Sequence, residues 1–183
     1  FWVFRVPGAE QSMRSWLAGK LLAVARERPM AMPGLLEVAA LSRHRLIAPS
    51  LLLAESSRRD LLLLAQDSQT ALGFRQVQSG SSVLFAFVHP LIAEEVLRIA
   101  ASDSALMGAV DKFECINLAD FELHLFARLL RRPAAASPGC VETIEELVTS
   151  ALRVDPREAP ANYDVRHRIV EILESAPDSL FDT

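Results

Sequence analysis

Ser82–Val88, with the sequence SVLFAFV, is the stretch that decides the fold class of this chain. Its β-branched and aromatic residues would suit a buried strand. A strand needs a second strand to pair with, and no partner strand is apparent elsewhere in the sequence. The stretch therefore predicts a helix, and the whole chain is predicted to be all-α.

Helical patterns continue on both sides of this stretch. Asp67 or Ser68 can cap a helix that stops at Gly80, and Pro90 sits in the first turn of the next one. Further helices are expected at about 12–28, 118–132, 140–154 and 162–175. Together these patterns predict about ten helices joined by short loops, which pair as antiparallel hairpins.

The stretch Phe113–Arg132, FECINLADFELHLFARLLRR, is apolar on two sides of its helix. One stripe contains Leu118, Phe121, Leu125 and Leu129, and the other contains Leu123, Phe126 and Leu130. A helix with two apolar sides is buried between layers. Helix pairs recur at roughly 35 to 45 residues, the unit size of armadillo and HEAT repeats. The prediction is one armadillo/HEAT-like α-solenoid domain over residues 1–183, frayed at 1–11 and 176–183.

Composition narrows the function classes. The chain has 183 residues, a hydrophobic fraction of 51% and a formal net charge of −4, so it shows no electrostatic footprint for nucleic acid. Its two cysteines, Cys115 and Cys140, suit a reducing compartment. Residues 76–93 carry no Asp, Glu, Lys or Arg, but only SVLFAFV within them is strongly apolar, so no membrane span is expected. The start at Phe1 indicates a processed protein or a piece of one.

Motifs for catalysis are absent from the sequence: it has no P-loop, GxGxxG, GxSxG, HExxH or paired CxxC. The four histidines are far apart, His89 before Pro90 is typical of a helix start, and His124 between leucines is typical of packing. We therefore predict no catalytic residue, no cofactor and no metal. An enzyme built on less obvious residues stays as an alternative, and it would depend on His124 or His89.

Three segments resemble a known family when they are taken together. HPLIAEEVL, ALMGAVDKFECINLADFELHLFARLLRR and NYDVRHRIVEIL occur in the order seen in the mouse-protein-25 scaffolds, also called calcium-binding protein 39. Asn162 and Tyr163 with Arg166 are the most specific part of this resemblance. The resemblance implies a non-catalytic armadillo-like scaffold that grips a kinase or pseudokinase, with Phe126 and Arg166 on the binding face.

The resulting functional prediction is a non-catalytic protein–protein interaction scaffold. The alternative is an accessory structural subunit of a large multi-protein complex, with the mitochondrion as one compartment considered. The expected location is intracellular, undecided between cytoplasm and mitochondrion. Glu142, Glu145 and Glu146 form either a solvated face or an acidic patch for a partner. The predicted partner-binding residues are Phe126, Arg166, Tyr163, Glu142, Glu145 and Glu146.

Overall fold

The computed structural model describes residues 13–67, 72–103, 106, 118–152, 170, 171 and 174. Its elements within those residues follow in chain order. They are α1 (Met13–Glu27), α2 (Ala31–Arg43), β1 (Ala48–Pro49), α3 (Glu55–Gln66), β2 (Phe74–Ser79), β3 (Ser82–Phe87), α4 (Pro90–Ser102), α5 (Leu118–Leu130) and α6 (Pro138–Leu152). Short 3₁₀ turns occupy Ser50–Leu52 and Pro133–Ala136.

The stretch SVLFAFV forms a strand, so its prediction as a helix is wrong. β3 is the central strand of an antiparallel sheet in the order β1–β3–β2. Ala48 of β1 lies opposite Phe85, and Phe74 of β2 lies opposite Phe87. Gly80, with a φ of +56°, begins the two-residue turn between β2 and β3. Glycine at this position is what the tight turns of hairpins prefer.

The partner strand is hidden in the sequence because β2 is polar. FRQVQS contains only Phe74 and Val77 as large apolar residues, and its other four side chains are exposed. The Phe74 ring stacks on Phe85 at 5.5 Å and meets Phe87 edge-on at 5.7 Å. This aromatic contact fixes the hairpin against the core, since such pairs add stability beyond their buried area.

The order of elements from α2 to β3 is that of a winged helix. A helix is followed by a short strand, a second helix and a hairpin, and the last strand of the hairpin returns to pair with the short strand. The turn at Ser50–Leu52 stands where such folds have one more helix. The armadillo/HEAT-like all-α solenoid predicted from the sequence is therefore wrong. Its repeat pattern came from real helices, several of which pack around α2 beside the sheet.

α2 lies at the centre of the fold. Every residue from Ala31 to Ser42 is buried except Pro33, which is half-buried. α3, α4, α5 and β3 all pack against it. A helix that is apolar on all sides is buried in this way. The sequence predicts burial between layers for residues 118–132, and α5 is buried on two sides. Phe121 and Leu125 of one stripe have 1% and 0% exposure, and Leu123 and Phe126 of the other have 5% each.

Gly34 allows α2 and α3 to approach each other closely. A Cβ atom at Gly34 would lie 2.7 Å from Leu61 Cδ1 and 2.8 Å from Ser57 Cβ. The leucine tip can move, but Ser57 Cβ is fixed to the α3 backbone. The spacing of these two helices therefore depends on a residue without a side chain.

Gly34→Ala is expected to destabilise the fold by about 1–3 kcal/mol, the usual cost of overpacking a core. The measurement is urea unfolding of the purified chain. Gly19→Ala is the matched control, because Gly19 is exposed in α1 and a methyl group added there would meet nothing within 4 Å. That control is expected to gain up to about 1 kcal/mol from helix propensity. Equal effects of the two substitutions would contradict the close packing.

Candidate functional site

The C-terminal end of α2 is a junction of three polar residues, Ser42, Arg43 and His44, which we call the α2 junction. Ser42 Oγ accepts a hydrogen bond from the backbone N–H of Phe87 in β3, at 3.0 Å. Arg43 Nη1 donates to Glu122 Oε2 of α5. His44 binds α5 and α6, as described next. The junction thus joins the sheet to both C-terminal helices that the structure describes.

His44 lies between a carboxylate and a hydroxyl. Its Nε2 is 3.0 Å from Glu122 Oε1, and its Nδ1 is 2.9 Å from Ser150 Oγ. Serine, histidine and glutamate also form hydrolytic triads. Here Ser150 is in the last turn of α6, where the negative end of the helix dipole opposes a developing oxyanion. The arrangement therefore fits a structural tie between α2, α5 and α6.

A second ion-pair cluster lies deeper on the same two helices. Glu37 of α2 has 0% side-chain exposure, and it pairs with Arg132 at 2.9 Å and with Arg128 at 3.4 Å. Arg132 Nη1 also donates to the carbonyl oxygen of Leu52. A buried carboxylate is tolerated only when it is paired and hydrogen-bonded in this way.

The two clusters are reciprocal. α2 supplies the acid Glu37 and the base Arg43, whereas α5 supplies the acid Glu122 and the base Arg128. Glu37 meets the C-terminal part of α5 and Arg43 meets its N-terminal part, so the helices run antiparallel. Both pairs are satisfied together in this register, and a shift along the axis would separate Glu37 from Arg128 and Arg43 from Glu122, so the ion pairs favour this register of α2 against α5.

Arg132→Met is expected to destabilise the chain by about 3–5 kcal/mol, because it leaves the buried Glu37 carboxylate without its bidentate partner. The measurement is denaturant unfolding at neutral pH. The double variant Arg132→Met with Glu37→Leu is the control. It removes both charges and should recover most of the loss, since buried pairs contribute little net stability. No recovery would contradict a paired role for Glu37.

The start of α4 presents an exposed histidine. His89 caps the helix, and its Nδ1 accepts the backbone N–H of Leu91 at 3.1 Å. With Nδ1 acting as an acceptor, the neutral imidazole carries its proton on Nε2, which is then a donor directed away from the cap. The N-terminal end of the helix adds the positive end of its dipole. This end of α4 therefore favours an anion.

Exposed apolar side chains flank His89. Val88 is 53% exposed and Leu91 is 63% exposed. The backbone N–H of Val88 donates to Gly73 O at 2.7 Å, and a Cβ atom at Gly73 would lie 2.9 Å from Val88 Cγ2. Gly73 also has a φ of +66°, which favours glycine. The loop before α4 is thus held in place by backbone contacts while its side chains face outward.

A cleft between α1 and α3 is too small for a nucleotide or similar ligand. Its volume is about 150 Å³, whereas ligand pockets usually reach at least about 300 Å³. Lys20, Glu27, Arg28 and Asp67 line it together with apolar residues. Within the described ranges, no cluster of three metal-ligating residues occurs, and no helix is long and apolar enough to cross a membrane.

The predicted partner-binding residues do not come together in the described part of the chain. Phe126 is buried at 5% exposure, with its ring 5.6 Å from the His44 ring. Glu142, Glu145 and Glu146 are all exposed on α6. Tyr163 and Arg166 lie outside the described residues. Partner binding by these six residues stays a prediction.

Phe126→Ala is expected to destabilise the chain by about 3–5 kcal/mol, the usual loss for a buried phenylalanine. The measurement is thermal or urea unfolding. Glu145→Ala on the exposed face of α6 is the control and should leave stability nearly unchanged. A small effect of Phe126→Ala would contradict its burial beside His44.

Sequence reasoning missed the ion pairs, and it identified His89 as a helix start and, with His124, as a residue on which the enzyme alternative would depend. His89 is confirmed in that position, since it caps α4. The pairs join residues 78 to 95 positions apart, so no local spacing reveals them. The chain contains one Gly-Lys pair, Gly19–Lys20, but it lies inside α1 and Leu21 follows it. It is therefore not the glycine-lysine-serine/threonine end of a phosphate-binding loop.

These features define a winged-helix unit, bonded to helices through buried ion pairs, with an anion-favouring helix start on its surface. The family model described as Novel STAND NTPase 7 matches residues 1–183, and the chain belongs to that family. Searches of curated proteins and of solved structures gave no match.

The family membership corrects the functional predictions. The chain is not a member of the mouse-protein-25 scaffold family, and the predicted scaffold function is wrong. The alternative prediction, an accessory structural subunit of a large complex, is also wrong. The prediction that the protein is not an enzyme is also contradicted, because the family name denotes a nucleoside triphosphatase. The expectations of protein partners and of no nucleic acid stay predictions.

Proposed function

We propose that this chain works in nucleoside-triphosphate hydrolysis, and that His89 at the start of α4 contacts a phosphate of the nucleotide. The family name supports the reaction, and the geometry of His89 supports the contact. The observation that carries the proposal is the cap hydrogen bond, in which the Leu91 N–H donates to His89 Nδ1 at 3.1 Å. A cap hydrogen bond to Nδ1 leaves Nε2–H as an exposed donor at the positive end of a helix.

The backbone at this helix start is already satisfied within the chain. The N–H of Leu91 donates to the His89 side chain, while the N–H groups of Ile92 and Ala93 donate to His89 O. Pro90 has no N–H group. A phosphate here therefore accepts a hydrogen bond from the imidazole and is attracted by the helix dipole. It accepts no hydrogen bond from the backbone N–H groups of the helix start.

The expected size of this contact follows from its chemistry. A hydrogen bond to a charged group contributes about 1.5–3 kcal/mol. This corresponds to roughly 10- to 150-fold in nucleotide affinity. One such contact does not hold a nucleotide by itself. His89 is thus assigned a single phosphate contact, and the remaining contacts belong to other residues of the protein.

Val88 and Leu91 fit the same role. Both are large, apolar and more than half exposed, and they stand on either side of His89. Covering them would remove water from around the imidazole and strengthen its hydrogen bond to a phosphate. We propose that the nucleotide-holding part of the protein covers these two side chains.

His89→Asn is expected to weaken ATP binding by about 10- to 100-fold with little change in stability. Asparagine is a good N-cap, so it still accepts the Leu91 N–H, but it lacks the imidazole Nε2–H. The measurements are ATP and GTP binding by calorimetry and phosphate release, on the full-length protein that carries this chain.

His89→Ala separates the two roles of the side chain. It should weaken nucleotide binding as much as His89→Asn does and should also cost about 1 kcal/mol of stability through the lost cap. If His89→Asn binds and hydrolyses nucleotide like the wild type, His89 acts only as a cap and the phosphate contact is refuted. If the wild-type protein binds neither ATP nor GTP, the proposed function itself fails.

A further inference from the structure

Arg43 faces two carboxylates on different helices. Its Nη1 donates to Glu122 of α5, and its Nε lies 4.0 Å from Glu94 Oε2 of α4. The first contact is a hydrogen-bonded ion pair, whereas the second is too long for a hydrogen bond. A displacement of about 1 Å would bring the second pair to the usual length of a charge-assisted hydrogen bond, roughly 2.9 Å.

Both carboxylates retain a second partner if Arg43 leaves. Glu94 accepts two hydrogen bonds from Arg98, at 2.6 and 3.1 Å. The hydrogen bond and the Coulomb attraction of Glu94 raise the pKa of Arg98 above its ordinary value. Glu122 keeps its contact with His44 at 3.0 Å. Exchange of Arg43 between the two therefore leaves neither acid without a cation.

The side-chain exposures of Arg43 and its two acids are compatible with an exchange of Arg43 between them. The side chains of Arg43 and Glu94 are 30% and 26% exposed, whereas that of Glu122 is 10% exposed. Partly hydrated ions can change partners at a lower desolvation cost than fully buried ions. In the other cluster Glu37 is fully buried, so its ion pair with Arg132 is not expected to exchange partners.

Glu94 is on the helix that starts at His89. Five positions separate the two residues, and α4 is continuous between Pro90 and Ser102. Ser42, the neighbour of Arg43, holds the N–H of Phe87 two residues before His89. A displacement at the start of α4 is thus passed to both Ser42 and Arg43.

We propose that Arg43 is an exchangeable contact that couples the start of α4 to α5. Nucleotide binding at His89 draws α4 towards Arg43, so that Arg43 shifts from Glu122 to Glu94. Glu122 then holds α5 through His44 alone, and the N-terminal part of α5 loosens. This inference rests on the proposed function, because it takes the His89 contact as the cause of the displacement.

The first test needs no nucleotide. A double-mutant cycle with Arg43→Gln and Glu122→Gln measures the coupling of this pair by urea unfolding, in the wild-type background and in Glu94→Gln. Since Glu94→Gln removes the competing acid, the coupling is expected to grow by about twofold or more in the unfolding equilibrium constant. Glu95→Gln is the control, because Glu95 pairs with Arg14. Equal coupling in all three backgrounds overturns the sharing of Arg43.

The second test follows the coupling itself. Hydrogen exchange of the backbone amides of α5 is measured on the full-length protein with and without ATP. In the wild type, ATP is expected to speed exchange in residues 118–126 by about twofold or more. In Arg43→Gln, saturating ATP should still bind but should leave α5 exchange unchanged, and its affinity should differ from that of the wild type because the coupling is reciprocal. A response of α5 in Arg43→Gln equal to that of the wild type overturns the proposal.

The outcomes distinguish the two proposals. If ATP binds and His89→Asn weakens its binding, but α5 does not respond in the wild type, the phosphate contact stands and the coupling through Arg43 falls. If ATP does not bind at all, the proposed function falls, and so does the nucleotide-driven exchange. The double-mutant cycle then decides whether Arg43 is shared between its two acids.

Discussion

The pairing of the Glu37 carboxylate inside the fold is the constraint on which the other parts of the structure depend. α2 is buried along nearly its whole length, so its one carboxylate has no access to water. An unpaired carboxylate there would cost several kcal/mol. Arg128 and Arg132 neutralise it, and both belong to the C-terminal part of α5 or the turn after it. The position of α5 is therefore set by a charge that lies 91 to 95 residues earlier in the chain.

The rest of the arrangement follows from α2. Its middle approaches α3 through Gly34, and its C-terminal end holds β3, α5 and α6 through Ser42, Arg43 and His44. The winged-helix unit and the later helices thus share one central helix. The candidate phosphate contact at His89 lies two residues beyond Phe87, whose backbone is bonded to that helix. A ligand bound at His89 would for this reason lie close in the chain to the α2 junction.

The helices of this chain can be predicted from its sequence, whereas its sheet cannot. α1, α4, α5 and α6 have clear apolar periodicity and start or stop residues, and each is found near its predicted bounds. β2 is polar on an exposed edge, and β1 has only two residues, so neither carries an apolar pattern. The residues of SVLFAFV suit a buried strand, but without a visible partner strand the stretch is predicted to be a helix. Its strand state is imposed by pairing, which local sequence does not report.

The candidate site is visible in the sequence only in part, for a related reason. His89 before Pro90 is typical of a helix start, but its exposure depends on the tertiary fold and its tautomer on the cap hydrogen bond. The ion pairs depend on tertiary contact between residues far apart in the chain. The sequence contains no short nucleotide-binding motif, and the assignment to a nucleoside-triphosphatase family rests on a match that spans residues 1–183.

The reciprocal ion pairs correspond to matched spacings in the sequence. Glu37 and Arg43 are separated by six positions, and so are Glu122 and Arg128, with Arg132 four positions further on. Because each pair has one partner on α2 and the other on α5, reversal of its charges requires a change on both helices. A single substitution in one of these pairs would leave the partner residue as a buried unpaired charge. The two matched spacings therefore tie the charges of α2 to those of α5, so that a change of charge at one position calls for a matching change on the other helix.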